Sequence, residues 1–203
     1  MKLVRYGNEG FERPGLIDDS RILRDLSQHI PDVSSSILSD SSLEKLRKIE
    51  SYLMQHRNDL CDALYTDFKK PASEVVIAEM LGVKREIQHT VKHLKSWMKP
   101  SSVSAPLMLL GTKGLVQYEA KGLCLIISPW NYPFGIPFHE VVFGLLAGNA
   151  VILKTATQTL QVGVKLAECF QQAGLPEGIF NFVNVPGREI GTALLENGID
   201  KIF

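Results

Sequence analysis

Two prolines, Pro129 and Pro133, bracket Asn131, and Lys154 closes an apolar run further along the chain. Proline fixes the backbone on either side of the asparagine, so the turn is stiff and its side chain is held in place. An asparagine amide donates two hydrogen bonds without adding charge. A held, neutral donor suits an oxygen that becomes negative in a transition state, where losing one such donor costs about 2.7–4 kcal/mol. The same residue type also caps helices, and an apolar helical pattern follows directly, so spacing alone leaves both readings open. Trp130 supplies an apolar wall in either case. Lys154 either snorkels to solvent or holds an anionic or hydroxylated ligand. Thr155, Thr157 and Thr159 beside it are hydroxyl donors as well as ordinary strand-exit and N-cap residues. No GxGxxG turn and no Walker loop is present, so a conventional phosphate cradle is not expected.

The elements that position these residues follow from apolar periodicity. Residues 122–127 and 150–153 are continuous apolar runs, 138–146 and 160–173 have helical spacing, and 179–183 reads as a third strand. A short helix at 188–196 precedes Lys201–Phe203, the expected start of a fourth strand. Buried strands alternating with helices predict parallel β in an α/β sheet. In such sheets ligands sit outside the carboxyl ends of the strands, and both the 128–133 turn and the Lys154–Thr159 segment lie there. Upstream, Leu43, Leu46, Ile49, Leu53, Leu60 and Leu64 predict one helix over 43–67. Val76, Met80, Val83, Ile87, Val91 and Leu94 predict a second over 73–99. Residues 103–121 read as a hairpin around Gly111–Gly114. Residues 1–42 hold short β-like pieces at Lys2–Tyr6, Gly15–Asp18 and Ile22–Leu26.

Composition narrows the function classes. The 203 residues are 45% hydrophobic and 22% charged, with 22 basic and 22 acidic side chains, so net charge argues for neither nucleic acid nor a membrane surface. No apolar run is long enough to span a bilayer and no secretory leader is read at the N-terminus, so the expected compartment is the cytoplasm. Cys61, Cys124 and Cys169 are isolated, without metal spacing, and read as small buried residues.

Six ordered stretches together resemble the aldehyde dehydrogenase superfamily: ALYTDFKKP (63–71), HLKSWMKP (93–100), LCLIISPWNYPF (123–134), LAGNAVILKTATQT (146–159), AGLPEGIFNFVN (173–184) and GIDKIF (198–203). The resemblance covers about residues 43–203. It implies a partial variant Rossmann fold without GxGxxG, preceded by helices, with the cofactor-binding α/β part at 122–203. It implies that Asn131 donates to the oxyanion, that Lys154 binds the adenosine ribose, that Ile127, Ser128, Pro129 and Trp130 line the cofactor cleft, and that the loop at Gly187 approaches the cofactor. NAD-preferring members commonly carry glutamate where this chain has Thr157, so NADP is expected to be tolerated or preferred over NAD. The substrate implied is a small-molecule aldehyde, and the complete enzyme is expected to be a homo-oligomer. The family's nucleophilic cysteine and general-base glutamate are expected downstream of residue 203, so this polypeptide alone is expected to show no turnover.

Residues 1–42 depart from that pattern. KLVRYG and PGLID resemble the N-terminal segment of fumarylacetoacetate hydrolase family proteins, and a fusion with its seam near 41–50 is the simplest expectation. The competing reading is a non-catalytic interaction protein whose surface is the 73–97 helix and the 103–121 hairpin.

Overall fold

A computed structural model describes residues 2–6, 13–17, 23–25, 40–104, 106–109 and 111–203. Three short strands open the chain: β1 (Lys2–Tyr6), β2 (Arg13–Ile17) and β3 (Leu23–Asp25), antiparallel in the order β1-β2-β3. β2 starts two residues before the expected position and takes in Pro14, which opposes Arg5 but lies outside the span that pairs with β3. Its missing N–H therefore interrupts no second ladder. The turns expected around these strands lie outside the described residues.

The expected 43–67 helix is two helices, α1 (Asp40–Gln55) and α2 (Arg57–Phe68), separated at His56 with φ −100° and ψ 24°. The apolar series has a gap there: Leu53 and Leu60 are buried, and nothing apolar lies halfway between them. The imidazole of His56 stacks on Tyr52, its Nδ1 lies 2.9 Å from the Asp59 carboxylate, and the His56 N–H still reaches the Tyr52 carbonyl at 2.9 Å. Lys69 in the left-handed region (φ 63°) ends α2. The second long helix begins at α3 (Ala72–Glu74), widens to a π-helical turn at Val75–Met80 and continues as α4 (Leu81–Trp97). The π turn changes the phase, so Val75 and Glu79 face inward with Met80, and the expected Val76 is only half-buried.

The expected hairpin takes a different form. β4 (Ser101–Val103) pairs antiparallel with β5 (Gly114–Val116), but a loop containing a 3₁₀ turn at Leu107–Leu109 joins them. Gly111–Lys113 leads into β5 and is not a two-residue turn.

From residue 123 strands and helices alternate: β6 (Leu123–Ile127), α5 (Gly135–Leu146), β7 (Ala150–Lys154), a 3₁₀ turn at Thr157–Thr159, α6 (Leu160–Gln172), β8 (Phe180–Val183), α7 (Gly187–Glu196) and β9 (Lys201–Ile202). The strands form a parallel sheet in the order β8-β7-β6-β9. Cys124, Leu125 and Ile126 are buried in succession, as a strand covered on both faces requires. α5 starts three residues earlier than expected because Pro137 is tolerated in a first turn. Phe134, Phe138 and Phe170 are fully buried, and Phe138 stacks on Phe170 at 5.4 Å, locking α5 to α6. Gly122 (φ 119°) opens the sheet where a Cβ would collide with the Asp200 carboxylate, which accepts the Leu123 N–H at 2.9 Å.

Candidate functional site

β7 and β8 lie successively to one side of β6, and β9 returns to the other side, so the direction of winding reverses at β6. Ligands of open α/β sheets bind in the crevice outside the carboxyl ends of the strands at such a reversal. The Ser128 N–H donates to the Lys154 carbonyl at 2.9 Å, and the Ile127 N–H donates to the Phe203 carbonyl at 3.0 Å. The ends of β6, β7 and β9 are thereby tied together. Ile127 is half exposed at the rim, and Ser128 is buried, with its hydroxyl donating to the Pro129 carbonyl at 3.1 Å.

Past Ser128 the turn projects outward. Trp130 and Asn131 are exposed. The Asn131 side-chain amide has no hydrogen bond among the described residues; only its backbone carbonyl is engaged, 3.5 Å from Lys70 Nζ. The helix that follows is capped by another residue. The N–H groups of Phe134 and Gly135 both donate to Glu79 Oε2, at 3.0 and 2.8 Å. Glu79, fully buried in the π turn, takes the place a capping asparagine would have occupied. Its other oxygen accepts from Lys70 Nζ at 2.6 Å, and that ammonium lies 4.5 Å from the centre of the Tyr132 ring. Neither Lys70 nor Glu79 stands out in a sequence reading. The available signal is a carboxylate within an otherwise apolar stripe of a helix.

Lys154 does not snorkel. It is buried at 9% exposure, and its ammonium donates to the Thr155 carbonyl at 3.1 Å. Among the described residues it has no carboxylate within ion-pair distance. An ammonium with three donors and one acceptor, shielded from bulk water, is suited to taking further acceptors from a ligand. Its Cε runs along Gly187, the first residue of α7, where an added Cβ would sit 3.9 Å away. Thr157 begins the 3₁₀ turn and is exposed. The strand exit beneath it is braced by Asn184, whose amide donates to Thr155 Oγ1 at 2.8 Å and to the Ala156 carbonyl at 2.9 Å.

The three cysteines have the opposite character. All are buried, and burial pushes each thiol upward, Cys169 to about 12. Cys124 lies near the amino end of β6 and Cys169 in α6, neither of them at the carboxyl strand ends. A thiol of this kind is a poor nucleophile at neutral pH.

The model of the aldehyde dehydrogenase family matches residues 40–203. The chain belongs to the aldehyde dehydrogenase family. It is 33% identical over 159 residues to aldehyde dehydrogenase family 3 member B2 of Mus musculus, covering 78% of this chain and 33% of that protein. It is 32% identical over 162 residues to fatty aldehyde dehydrogenase HFD1 of Saccharomyces cerevisiae, covering 78% of this chain and 30% of that one. Among solved structures, the substrate-bound state of Staphylococcus aureus AldH superposes with a TM-score of 0.72 at 29% identity, over 80% of this chain and 35% of that chain. The NAD+ complex of an aldehyde dehydrogenase from Bacillus cereus shares the fold, with a TM-score of 0.70 at 24% identity, over 79% of this chain and 32% of that one. The chain thus spans about a third of the length of the relatives it matches. Among the described residues, no helix is long and apolar enough to cross a membrane.

Aldehyde dehydrogenases use a nicotinamide dinucleotide, and the donor set at these strand ends suits one. A buried ammonium, an exposed hydroxyl and a glycine-started helix stand beside exposed apolar side chains, the mixture a ribose, phosphate and ring system needs.

Proposed function

We propose that this chain supplies the cofactor cleft and the oxyanion donor for NAD(P)-dependent oxidation of an aldehyde to a carboxylic acid. The observation that carries this reading is Lys154, a buried ammonium at a strand end with one carbonyl acceptor and, among the described residues, no carboxylate. In this reading Lys154 holds the ribose hydroxyls, Gly187 lets the α7 terminus come close, and Ile127, Ser128, Pro129 and Trp130 form the wall. The dinucleotide, when bound, accepts a hydride from the substrate carbon. Asn131 donates its side-chain amide to the aldehyde oxygen as negative charge develops there. Glu79, not Asn131, takes the helix amides, which leaves the Asn131 amide available for that role. Thr157 offers a hydroxyl and no carboxylate, so a 2′-phosphate meets no like charge, and NADP is tolerated or preferred.

The reaction also needs a thiolate, and the three buried cysteines with raised pKa do not provide one. The chain by itself therefore binds cofactor without turnover. In this reading residues 1–42 derive from a fumarylacetoacetate hydrolase-like N-terminus.

The test is titration calorimetry of the purified chain with NADP+ and NAD+, repeated with Lys154→Met. Saturable binding that weakens roughly tenfold or more in the variant is expected, the scale of a lost charged hydrogen bond. Equal binding by both proteins, or none by either, rejects the reading.

One observation favours an additional role in association. The β4–β5 arm exposes Leu107, Met108, Leu115 and Val116, with Met108 at 96%. A homo-oligomer formed through this arm would sediment above the monomer mass and dissociate on Leu115→Glu. A monomeric wild-type chain would exclude it.

A further inference from the structure

We infer that the buried Lys70–Glu79 pair is a positioning device for Asn131. The inference rests on the reading of Asn131 as oxyanion donor and extends it to the residues that hold that donor still. Lys70 lies in the link between α2 and α3, and Glu79 lies in the π-helical turn; their side chains are 3% and 0% exposed. Together they grip both ends of the five-residue stretch from Asn131 to Gly135. Lys70 Nζ reaches the Asn131 carbonyl at 3.5 Å and lies under the Tyr132 ring, while Glu79 Oε2 receives the amides of Phe134 and Gly135. The 2.6 Å contact between Lys70 Nζ and Glu79 Oε1 joins the two grips. Glu74, half exposed and 3.8 Å from the ammonium, is the only other carboxylate in ion-pair range of it among the described residues.

Two features separate this from ordinary core packing. A buried ion pair contributes little net stability compared with apolar side chains of the same size, so its presence is better explained by the conformation it selects. The π turn is also the distortion that turns Glu79 inward, and such turns are frequent at functional sites. The exposed side-chain amide of Asn131 makes no bond of its own among the described residues, so its direction is set by the backbone on either side. Pro133 stiffens that backbone locally, and the ion pair fixes it to the helical layer beneath.

Backbone order parameters of the whole 203-residue chain, measured by nitrogen-15 relaxation, test the inference. In the wild type, the amides of Asn131, Tyr132, Phe134 and Gly135 should show rigid values near ~0.85, and in Lys70→Met those of Asn131 and Tyr132 should fall toward ~0.6. Glu79→Gln keeps an acceptor for Phe134 and Gly135 while disturbing the grip of Lys70, so it should loosen residues 131 and 132 but leave 134 and 135 ordered. Lys70→Arg should restore wild-type values, because a guanidinium still bonds the carboxylate. β6 and β7 should stay rigid throughout, which a general loss of packing would not allow. The inference is overturned if the turn keeps its order in Lys70→Met, or if turn and sheet loosen together. If Lys70→Met does not fold, Glu79→Gln and Lys70→Arg carry the test. Cofactor titration decides the site reading separately: absent NADP+ binding with a turn that loosens as expected would reject the site while leaving the clamp intact.

Discussion

Removing one charge of the Lys70–Glu79 pair should destabilise the chain far more than removing both. Lys70→Met leaves the Glu79 carboxylate buried with two amide donors and no cation, and Glu79→Gln leaves the Lys70 ammonium facing a side-chain amide. Uncompensated buried charges of this sort cost about 3–5 kcal/mol. The partial rescue available from Glu74 is small, because that residue is half exposed and 3.8 Å away. The double variant, Lys70→Met with Glu79→Gln, removes both charges. Its new side-chain amide keeps a carbonyl oxygen to accept the two N–H groups at the start of α5, so the cost should stay within about 2 kcal/mol. The coupling energy is then at least about 4 kcal/mol, above the ~0.5–3 kcal/mol common for neighbouring residues, because both charges are fully buried. With a urea m-value of ~2 kcal/mol/M, each single variant should lower the midpoint by roughly 1.5–2.5 M, and the double by roughly 1 M or less. Equilibrium urea unfolding followed by circular dichroism supplies all four midpoints and slopes. Single variants that cost under about 1 kcal/mol, or a double variant whose loss equals the sum of the two, would show that the pair does not act as a unit.

Other outcomes follow from the same geometry. Thr157→Glu should shift the ratio of NAD+ to NADP+ affinity toward NAD+, because the new carboxylate repels a 2′-phosphate; an unchanged ratio in calorimetry rejects the assignment of Thr157. Gly122→Ala places a methyl group against the Asp200 carboxylate at a positive φ and should destabilise by about 1–3 kcal/mol, read from thermal melting. Cys169, with its thiol pushed up to about 12, should resist a thiol reagent at pH 8 while the chain is folded and react at once in denaturant; fast native labelling would contradict its burial. Glu140 has a buried oxygen without a partner among the described residues, and burial raises its pKa. A carboxyl whose folded pKa lies above its unfolded value favours the native state below the unfolded pKa. That contribution is lost as pH rises through the folded pKa. Glu140→Gln should therefore stabilise the chain at pH 7 and change little at pH 4, and equal effects at both would show that ionisation is not the cause.

The parallel sheet was legible because the buried strands have no polar face: Cys124, Leu125 and Ile126 leave no alternation to misread. The strand ends, and with them Ser128 and Lys154, followed from those runs. What stayed hidden depends on partners distant in sequence. Asn131 could have been a helix cap until Glu79, on another helix, was found to accept the amides of Phe134 and Gly135. Lys154 could have reached solvent until its burial and its bond to the Thr155 carbonyl were seen. The break at His56 was missed because the seven-residue step from Leu53 to Leu60 also fits one continuous helix face, and the π turn because Met80, Val83 and Ile87 keep helical spacing after its phase change. A hairpin was expected at Gly111–Gly114 because glycines mark turns, whereas here they lead into β5 after a longer loop.

The proposed function puts a dinucleotide at the carboxyl ends of β6 and β7. Chemical-shift mapping of the nitrogen-15-labelled chain during titration with NADP+ tests it most directly. Saturable shifts concentrated at Ile127, Ser128, Trp130, residues 154–157 and residues 187–188, and their loss in Lys154→Met, are expected. Shifts clustered elsewhere, or none at saturating nucleotide, would contradict it.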